Sequence, residues 1–246
     1  MSRIISLPAV WLSRVPACAP FVRACSTSVG QKVLMAMTGL LLCGFLVVHL
    51  AGNFLLFAGE TAYNDYAHAL HSKEGLLKIA EIGLFTLFVL HIGLAFSTAA
   101  MNRQARRVTY SMKESKQGVF ALPGGGASTW MMVTGLVVLG FLLVHLSDLT
   151  WHTSPDLDYD SVTHDGHTDP FGVARLVLQN PLHAAVYSLG CLFLGIHLFH
   201  AVASAFQTLG LSHPKWNPII RCAGRIFAWV IALGFLSCVA WGLFLK

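Results

Sequence analysis

The sequence predicts an all-α membrane protein, a bundle of five transmembrane helices, on the basis of three observations. The 246 residues are 55% hydrophobic and only 11% charged, well away from the average soluble protein. Five apolar runs are long enough to cross the hydrocarbon of a bilayer, which takes roughly 20 residues. The runs are continuously apolar and lack the two-residue alternation of a lipid-facing β-strand, so helices rather than a barrel are expected.

The first 28 residues differ from the rest of the chain. They contain three arginines, no acid, and prolines at positions 8, 16 and 20 that interrupt any spanning helix. We expect an amino-terminal cytoplasmic arm over residues 1–28 and one transmembrane domain over 29–246. The helices of that domain are predicted at about 33–57, 79–100, 129–146, 182–206 and 226–245.

The loops between these runs predict an orientation. Twelve of the sixteen Lys and Arg residues fall on one side with a single acid, Glu114, and ten of the eleven acids fall on the other. Because basic loops stay in the cytoplasm, we expect a multi-pass protein of the cell inner membrane with a cytoplasmic amino terminus and an external carboxyl terminus. The acidic stretch from Trp151 to Asp169 is then a long external loop. The basic face can hold anionic membrane lipid, and no nucleic-acid partner is expected.

The six cysteines exclude several kinds of site. The sequence contains no C-x-x-C and no C-x-x-C-H. Covalently attached haem, a zinc finger and an iron–sulfur cluster are therefore not expected in this chain.

Two segments that lie ninety-six residues apart have nearly the same sequence. Both read T-G-L-x-x-x-G-F-L-x-V-H-L, from Thr38 to Leu50 and from Thr134 to Leu146. The penultimate residue of each is a histidine within an apolar run, His49 or His145. A duplicated helix with a metal-competent side chain at one depth predicts that the two histidines face a shared object, and haem iron fits this description.

Other residues of the repeat share the helix face of its histidine, at positions four and eleven before it. These are Phe45 and Thr38 in the first copy, and Phe141 and Thr134 in the second. Glycines in the same segments allow a bulky ring or a neighbouring helix to approach closely. They are Gly39, Gly44, Gly135 and Gly140.

Histidine is costly inside a bilayer, so the intramembrane histidines are functional candidates. A rise of ~1.5 Å per residue puts His49 and His145 both ~24 Å from the cytoplasmic edge. The same count puts His91 ~16 Å, His197 ~15 Å and His200 ~10 Å from that edge. Four histidines at two levels predict two bis-histidine b-type haems enclosed by the bundle, which carry electrons because both axial positions are filled. Depth leaves both His197 and His200 open as the fourth ligand.

Further motifs occur in a fixed order around these histidines. They are S-V-G-Q-K at 28–32, H-L-x-G-N ending at Asn53, Y-N-D-Y-A at 63–67, E-x-G-L at 81–84, L-F-H at 198–200, S-A-F-Q-T-L-G at 204–210 and H-P-K at 213–215. Together, over roughly residues 28 to 245, they resemble the five-helix, di-haem cytochrome b membrane anchors of succinate dehydrogenase and fumarate reductase.

The resemblance implies a role for each histidine. His49 and His145 would bind the haem distal to the catalytic subunits, and His91 and His200 the proximal one. His200 is selected because the family's fourth ligand directly precedes the stretch that here runs from Ala201 to Gly210. Electrons would pass between an iron–sulfur subunit on the cytoplasmic face, the two haems and a membrane quinone, menaquinone or ubiquinone.

The same resemblance implies the setting of the chain. It would be the non-catalytic membrane subunit of a succinate:quinone oxidoreductase, the respiratory complex II of the tricarboxylic acid cycle, with flavin and succinate chemistry on a flavoprotein subunit. The long acidic external loop and the extended amino-terminal arm depart from the family pattern. A homodimer of the complex and the direction of catalysis stay open.

A quinone needs an apolar slot with polar groups that bond its carbonyls and pass protons. Candidates near the distal haem are Asn53, Tyr66, His68, His71 and Glu81. Candidates for the haem propionates on the cytoplasmic side are Lys32, Arg103 and Arg107.

Two other functions are compatible with the same residues. One is the cytochrome b subunit of a hydrogenase or formate dehydrogenase. The other is a haem-free transporter whose intramembrane histidines relay protons. Optical spectra of the purified protein separate the transporter from both cytochromes.

Overall fold

A computed structural model of the chain describes residues 26–105, 127–164 and 167–244, without the side chains of 127–129, 164 and 167. The predicted amino-terminal arm up to residue 25, and Arg107, lie outside these residues. Seven α-helices are present in the described ranges: α1 Ser28–Asn53, α2 Glu60–His71, α3 Glu74–Gln104, α4 Ala127–Leu149, α5 Pro170–Gln179, α6 Pro181–Thr208 and α7 Asn217–Phe244. A 3-10 turn Phe54–Ala58 follows α1, and a second, Tyr159–Val162, leads into the two-residue pair β1 Thr163–His164 and β2 His167–Thr168.

Five of these helices are long and apolar enough to cross a membrane: α1, α3, α4, α6 and α7. This confirms the predicted all-helical architecture with five spans. Each helix begins before the apolar run that marks it; α3, for example, begins at Glu74 rather than near 79. The helices α3, α4 and α6 also end after their runs, whereas α1 ends at Asn53 and its run to Phe57 continues as the 3-10 turn. Composition reports the part of a helix that hydrocarbon surrounds, and the hydrogen-bonded helix continues into water on either side.

Consecutive spans are antiparallel, as contacts near their ends demonstrate. Near the start of α1, Gln31 accepts a hydrogen bond from Ser97 toward the end of α3. Near the start of α7, Gly224 packs on Val202 toward the end of α6. We call the end where α1 and α4 begin the basic end, and the end where they finish the acidic end. The basic end includes Lys32, Arg103, Lys215, Arg221 and Arg225; the acidic end includes Glu60, Asp65, Glu74, Asp148, Asp156, Asp158, Asp160 and Asp169.

The bundle is organised around α6, which packs against α1, α4, α5 and α7. One hydrophobic core forms where α1, α6 and α7 meet, from Leu50, Leu198, Ala228 and Ile231. Because lipid is as apolar as these side chains, close van der Waals packing rather than removal from water stabilises this core. In contrast, α1 and α4 have almost no backbone contact within the described part of the chain. A space between these two helices is therefore left for side chains to enter.

The acidic end is covered by α5, which is too short to span a membrane. Asp169 caps its first turn by accepting from Phe171 N, and Pro170 occupies the first helical position. One face of α5 is buried against α6 and α7: Val173, Ala174, Val177 and Leu178. Asn64 of α2 ties the layer together, because its side chain donates to Asp169 Oδ1 at 2.6 Å and accepts from Phe171 N at 3.0 Å.

Candidate functional site

The two repeat histidines face one another between α1 and α4. The ring centroids of His49 and His145 are 5.8 Å apart, and the ring planes are at 89°. Because the backbones of α1 and α4 barely touch, the two imidazoles reach toward each other across the space between the helices. The structure thus brings together the pair that the repeat predicts. We call His49 and His145 the outer pair.

Aromatic side chains surround the outer pair. Phe45 stacks on His49 one turn earlier in α1, with centroids 5.2 Å apart and planes at 15°. Phe235 of α7 lies 5.6 Å from His49 on another side. His145 is flanked by Phe141 and Tyr187, each with its centroid 5.8 Å away. The outer pair thus has aromatic neighbours on several sides, surroundings that suit an aromatic ligand.

Two further histidines are held by the threonines that begin each repeat. Thr38 Oγ1 lies 3.1 Å from His91 Nδ1 on α3, and Thr134 Oγ1 lies 3.1 Å from His197 Nδ1 on α6. His91 and His197 are close enough to interact electrostatically. We call His91 and His197 the inner pair.

The threonines determine the tautomer of the inner pair. Each threonine hydroxyl donates its hydrogen to a carbonyl four residues earlier in its own helix, at 2.9 Å in both cases. Its oxygen can then only accept, so the facing Nδ1 carries the proton. In a neutral imidazole this leaves the lone pair on Nε2, the atom that is free to coordinate a metal.

The glycine that follows each threonine allows the imidazole to approach. A Cβ atom at Gly39 would lie 3.1 Å from His91 Cε1, and one at Gly135 would lie 3.5 Å from His197 Cε1. The second glycine of each repeat differs, since a Cβ at Gly44 or Gly140 would meet nothing within 4 Å. The first glycine of each repeat thus makes room for a histidine ring, and the second has open space beside it.

The two pairs lie at different heights in the bundle. Thr38, at the height of His91, precedes His49 by eleven residues of continuous helix, which corresponds to ~16 Å along the axis. The outer pair lies toward the acidic end and the inner pair toward the basic end, the arrangement of levels that helix depth predicts.

His200, the ligand selected by the resemblance, has a different environment. It interacts electrostatically with Arg225 of α7, and its ring contacts that of Phe199, which lies under the Arg225 guanidinium at 5.2 Å. His197 instead has the threonine and glycine contacts that His91 has. The geometry favours His197, the alternative left open by depth, over His200 as the partner of His91.

The predicted quinone residues are at the acidic end but do not converge on one pocket. Tyr66 packs on α1, where a Cβ at Gly52 would be 2.9 Å from its ring. Asn53 and His71 bond to carbonyls of their own helices, each at 2.8 Å. His68 and Glu81 are exposed. A shallow cavity of about 330 Å³ at this end is lined instead by Glu60, Ser161, Val162, Asp169, Phe171, Gly172, Arg175, Leu176 and Gln179.

The basic end has two predicted propionate candidates among the described residues, Lys32 and Arg103, and two further cations, Arg221 and Arg225, that were not among those candidates. Arg103 is exposed and Lys32 is partly buried. A cavity of about 340 Å³ lies along the start of α7, lined by Pro218, Arg221, Cys222 and Arg225. The signal in the sequence is the spacing of Arg221 and Arg225, which puts both on one face of α7.

One polar cluster near the outer pair was also not predicted. His183, in the first turn of α6, contacts two carboxylates: Asp148 Oδ2 at 2.8 Å through Nδ1, and Asp156 Oδ2 at 2.9 Å through Nε2. Asp148 is fully buried at the end of α4, whereas the Asp156 side chain is exposed. The hydrogen bond from His183 holds the pKa of Asp156 below its ordinary value. The signal in the sequence is an acid in the last turn of an otherwise apolar helix.

The resemblance to the di-haem anchors rests on the motifs quoted above. The structure adds two imidazole pairs at two levels, of which the inner has threonine partners and the outer is a facing pair with aromatic neighbours. No protein-family model, no curated protein and no solved structure matches this chain.

Proposed function

We propose that this chain is the membrane-anchor and electron-transfer subunit of a succinate:quinone oxidoreductase, with two b haems as cofactors. His49 and His145 would hold one haem, and His91 and His197 the other. The observation that carries the proposal is the combination of two levels inside a five-span bundle: His49 and His145 face one another at the outer level, and His91 and His197 have equivalent threonine contacts at the inner level.

The outer pair fits a haem by three criteria. His145 Nδ1 is buried and has no hydrogen-bond partner among the described residues. Such unpaired buried polar atoms are rare, and a bound group that interacts with the ring would account for this one. The rings of His49 and His145 reach across a space that no backbone fills. Open volume also lies beside Gly44 and Gly140, where a porphyrin edge can enter.

The inner pair fits a haem through its tautomers. Thr38 and Thr134 each hold a proton on the Nδ1 atom of the facing histidine, so both Nε2 lone pairs are free for axial ligation. A hydrogen bond to the other ring nitrogen is the usual support of a ligating histidine, because it fixes ring orientation and makes the ligand more basic.

The side chains around the pairs suit a centre that transfers charge without bond chemistry. A haem held by both imidazoles of a pair would supply one-electron redox chemistry, and the two imidazoles would leave its iron no site for a substrate. Phe45, Phe141 and Phe235 make the surroundings of the outer pair apolar. Low polarity and filled ligand positions together favour electron transfer over oxygen or substrate binding.

The charge distribution supports the orientation and the partners. Basic loops remain in the cytoplasm, so the basic end would face the cytoplasm of an inner membrane, with the amino terminus inside and the carboxyl terminus outside. The iron–sulfur subunit, and with it the flavoprotein, would dock there. Arg221 and Arg225 are available at that end for anionic groups of lipid or cofactor. Quinone would exchange electrons with the outer pair, near Tyr66 and Asn53.

Haem content per polypeptide tests the proposal. Wild-type chain purified from membranes should contain two haems with reduced b-type absorption bands. His49→Ala and His145→Ala should each lose the outer haem only, and His91→Ala and His197→Ala the inner haem only. His200→Ala is the matched control and should keep both.

Three results would contradict parts of this proposal. If His197→Ala kept both haems and His200→Ala lost one, the fourth ligand would be His200 rather than His197. Fewer than two tightly bound haems in the wild type would remove the di-haem assignment, and absence of any b-type band would leave the transporter. If the haem-loaded chain with flavoprotein and iron–sulfur partners passed no electrons from succinate to quinone, the succinate assignment would be rejected.

A further inference from the structure

The cluster of His183, Asp148 and Asp156 joins the bilayer interior to water. Asp148 is 0% exposed and Asp156 has 45% of its side chain exposed, with the buried ring of His183 between them. The second carboxylate oxygen of Asp148 accepts a hydrogen bond from Ser154, and Tyr159 OH donates to the Asp148 carbonyl at 3.1 Å. The segment after α4 is thereby folded back over the carboxylate.

The distances determine how many protons the cluster contains. A neutral imidazole donates from one nitrogen and accepts at the other. Here both nitrogens lie within 2.9 Å of a carboxylate oxygen, and an ionised carboxylate can only accept. The two contacts are satisfied together when the ring is protonated on both nitrogens, which is the proton-loaded form of the cluster. Loss of one proton from His183 breaks one of the two contacts, so the unloaded form has a neutral imidazole.

Among the described residues, the charged side chains that act on His183 are Asp148 and Asp156. Its titratable neighbours are the two carboxylates, Tyr187 one turn later in α6, and Tyr159 of the folded-back segment. The sequences of α1 and α7 contain no Asp, Glu, Lys or Arg toward the acidic end, and Arg175, the one charged residue of α5, is exposed. The proton on His183 therefore depends on the two carboxylates and on nearby charge within the bundle.

The cluster also adjoins the outer pair. Asp148 follows His145 by three residues in α4, which is ~4.5 Å along the helix axis. Tyr187 contacts the His145 ring at 5.8 Å, and its buried hydroxyl lies near the Asp148 carboxylate. Charge added at the outer pair is thus felt by His183 across an interior that screens poorly.

We propose that His183, with Asp148 and Asp156, is a proton-exchange site that loads from the outer water when an electron arrives at the outer pair. The inference rests on the proposed function. A haem held by the outer pair would supply the redox step, accepting one electron from a quinol or from a chemical reductant. One proton from the external water passes by way of the Asp156 carboxylate to the His183 imidazole, which becomes imidazolium. The proton leaves by the same route when the electron does.

The pH dependence of the outer midpoint potential tests this inference. Full-length His197→Ala chain, which keeps only the outer pair, is loaded with haem in lipid nanodiscs and titrated potentiometrically from about pH 6 to about pH 9, a range that brackets imidazole titration. With His183 intact, the midpoint potential should fall as pH rises, because reduction takes up a proton. Adding His183→Gln should make the potential nearly independent of pH.

Proton uptake gives a second measurement. In weakly buffered solution, a pH-indicator dye should report proton uptake on reduction, and His183→Gln should take up less per electron. Asp156→Asn keeps an acceptor for His183 but removes one anion that stabilises its proton, so the pH dependence should move to lower pH. It tests the inference even if His183→Gln does not fold. His213→Gln, an exposed histidine at the basic end, is the matched control and should behave as the parent chain.

The outcomes separate this inference from the proposed function. A chain without haem fails the proposed function itself. A chain that binds its haem but has the same pH dependence and the same proton uptake with and without His183 overturns the proton-exchange site alone. An Asp156→Asn variant with an unshifted pH dependence likewise counts against the site.

Discussion

Replacing Thr134 with valine should weaken haem binding at the inner pair and leave the outer pair unchanged. Thr134 is almost fully buried, and its Oγ1 lies 3.1 Å from His197 Nδ1. Valine has nearly the same shape but offers no acceptor. The Nδ1 proton of a ligating His197 would then be buried without a partner.

The magnitude follows from the cost of that unpaired donor. Leaving a buried donor unsatisfied costs about 1–3 kcal/mol. At about 1.4 kcal/mol for each factor of ten, the inner haem should bind roughly 5- to 150-fold more weakly. The cost falls on the bound state, because an unligated His197 can rotate to find another partner. Substitutions behind other metal-ligating histidines weaken binding by a similar factor of about 10–100.

Transfer of haem to excess apomyoglobin measures this change. Wild-type chain in nanodiscs should release its two haems at two rates, which the single-pair variants assign to the inner and outer sites. Thr134→Val should accelerate the inner rate alone, and Thr134→Ser, which restores the hydroxyl, should return it toward wild type. Thr86→Val is the matched control, since the Thr86 hydroxyl is exposed and bonds only its own helix, at Ile82 O.

Two results would refute the reasoning. Equal inner rates in Thr134→Val and Thr86→Val would mean that the threonine does not support the ligand. An accelerated outer rate in Thr134→Val would mean that the variant loosens the whole bundle, so that its effect on the inner haem has no specific cause.

Three further changes test the packing and electrostatics. Gly190→Ala adds a Cβ that collides with the Phe141 ring, so the free energy of unfolding should fall by about 1–3 kcal/mol in thermal melts; Gly83→Ala, whose Cβ meets nothing within 4 Å, is the control. Asn64→Leu removes the hydrogen bonds between α2 and α5 and should speed amide exchange in α2, whereas the exposed Asp65→Asn should not. The Asp156 carboxyl group, followed through the NMR signal of its carboxyl carbon, should titrate below the ordinary aspartate pKa. His183→Gln should raise that pKa. Since its folded-state pKa is depressed, the contact stabilises the loop above the ordinary carboxyl pKa and is lost as pH falls through the depressed value.

The five spans could be predicted from sequence because hydrocarbon imposes a length and a composition that any spanning helix must meet. The outer pair could be predicted for a related reason. The repeat puts His49 and His145 at one depth, and a polar ring at that depth must find a partner inside the bundle. In both cases the membrane environment limits which residues can occupy a given depth, and this limit was enough to predict the feature from sequence.

Short elements outside the hydrocarbon gave no such signal. α2 and α5 are missing from the predicted helices because neither is apolar enough or long enough to span. For α5 the local signal was present, since Asp169 followed by Pro170 is a typical helix start. The cluster around His183 was missed because Asp148 and Asp156 are eight residues apart in an acidic stretch, and only the fold-back of that stretch brings both to one imidazole.

The fourth ligand illustrates a different limit. His197 and His200 differ by about 60° around α6, and helix depth could not separate them. The deciding residue is on another helix: Thr134 of α4 contacts His197, as Thr38 of α1 contacts His91. The repeat therefore contained the signal that favours His197, provided that its threonine contacts a histidine at the inner level while its own histidine lies at the outer level.

The placement of each repeat's threonine at the inner level and its histidine at the outer level gives the duplication a physical reason. In each copy the threonine and glycine hold a histidine of the next spanning helix at the inner level, and the copy's own histidine meets its counterpart at the outer level. Eleven residues of unbroken helix set the separation between the levels in both α1 and α4. Each copy thus supplies half of two sites, and a change in the register of either helix would displace contacts at both levels. A repeat retained only for helix packing would need the glycines, but neither the buried threonines nor the facing imidazoles.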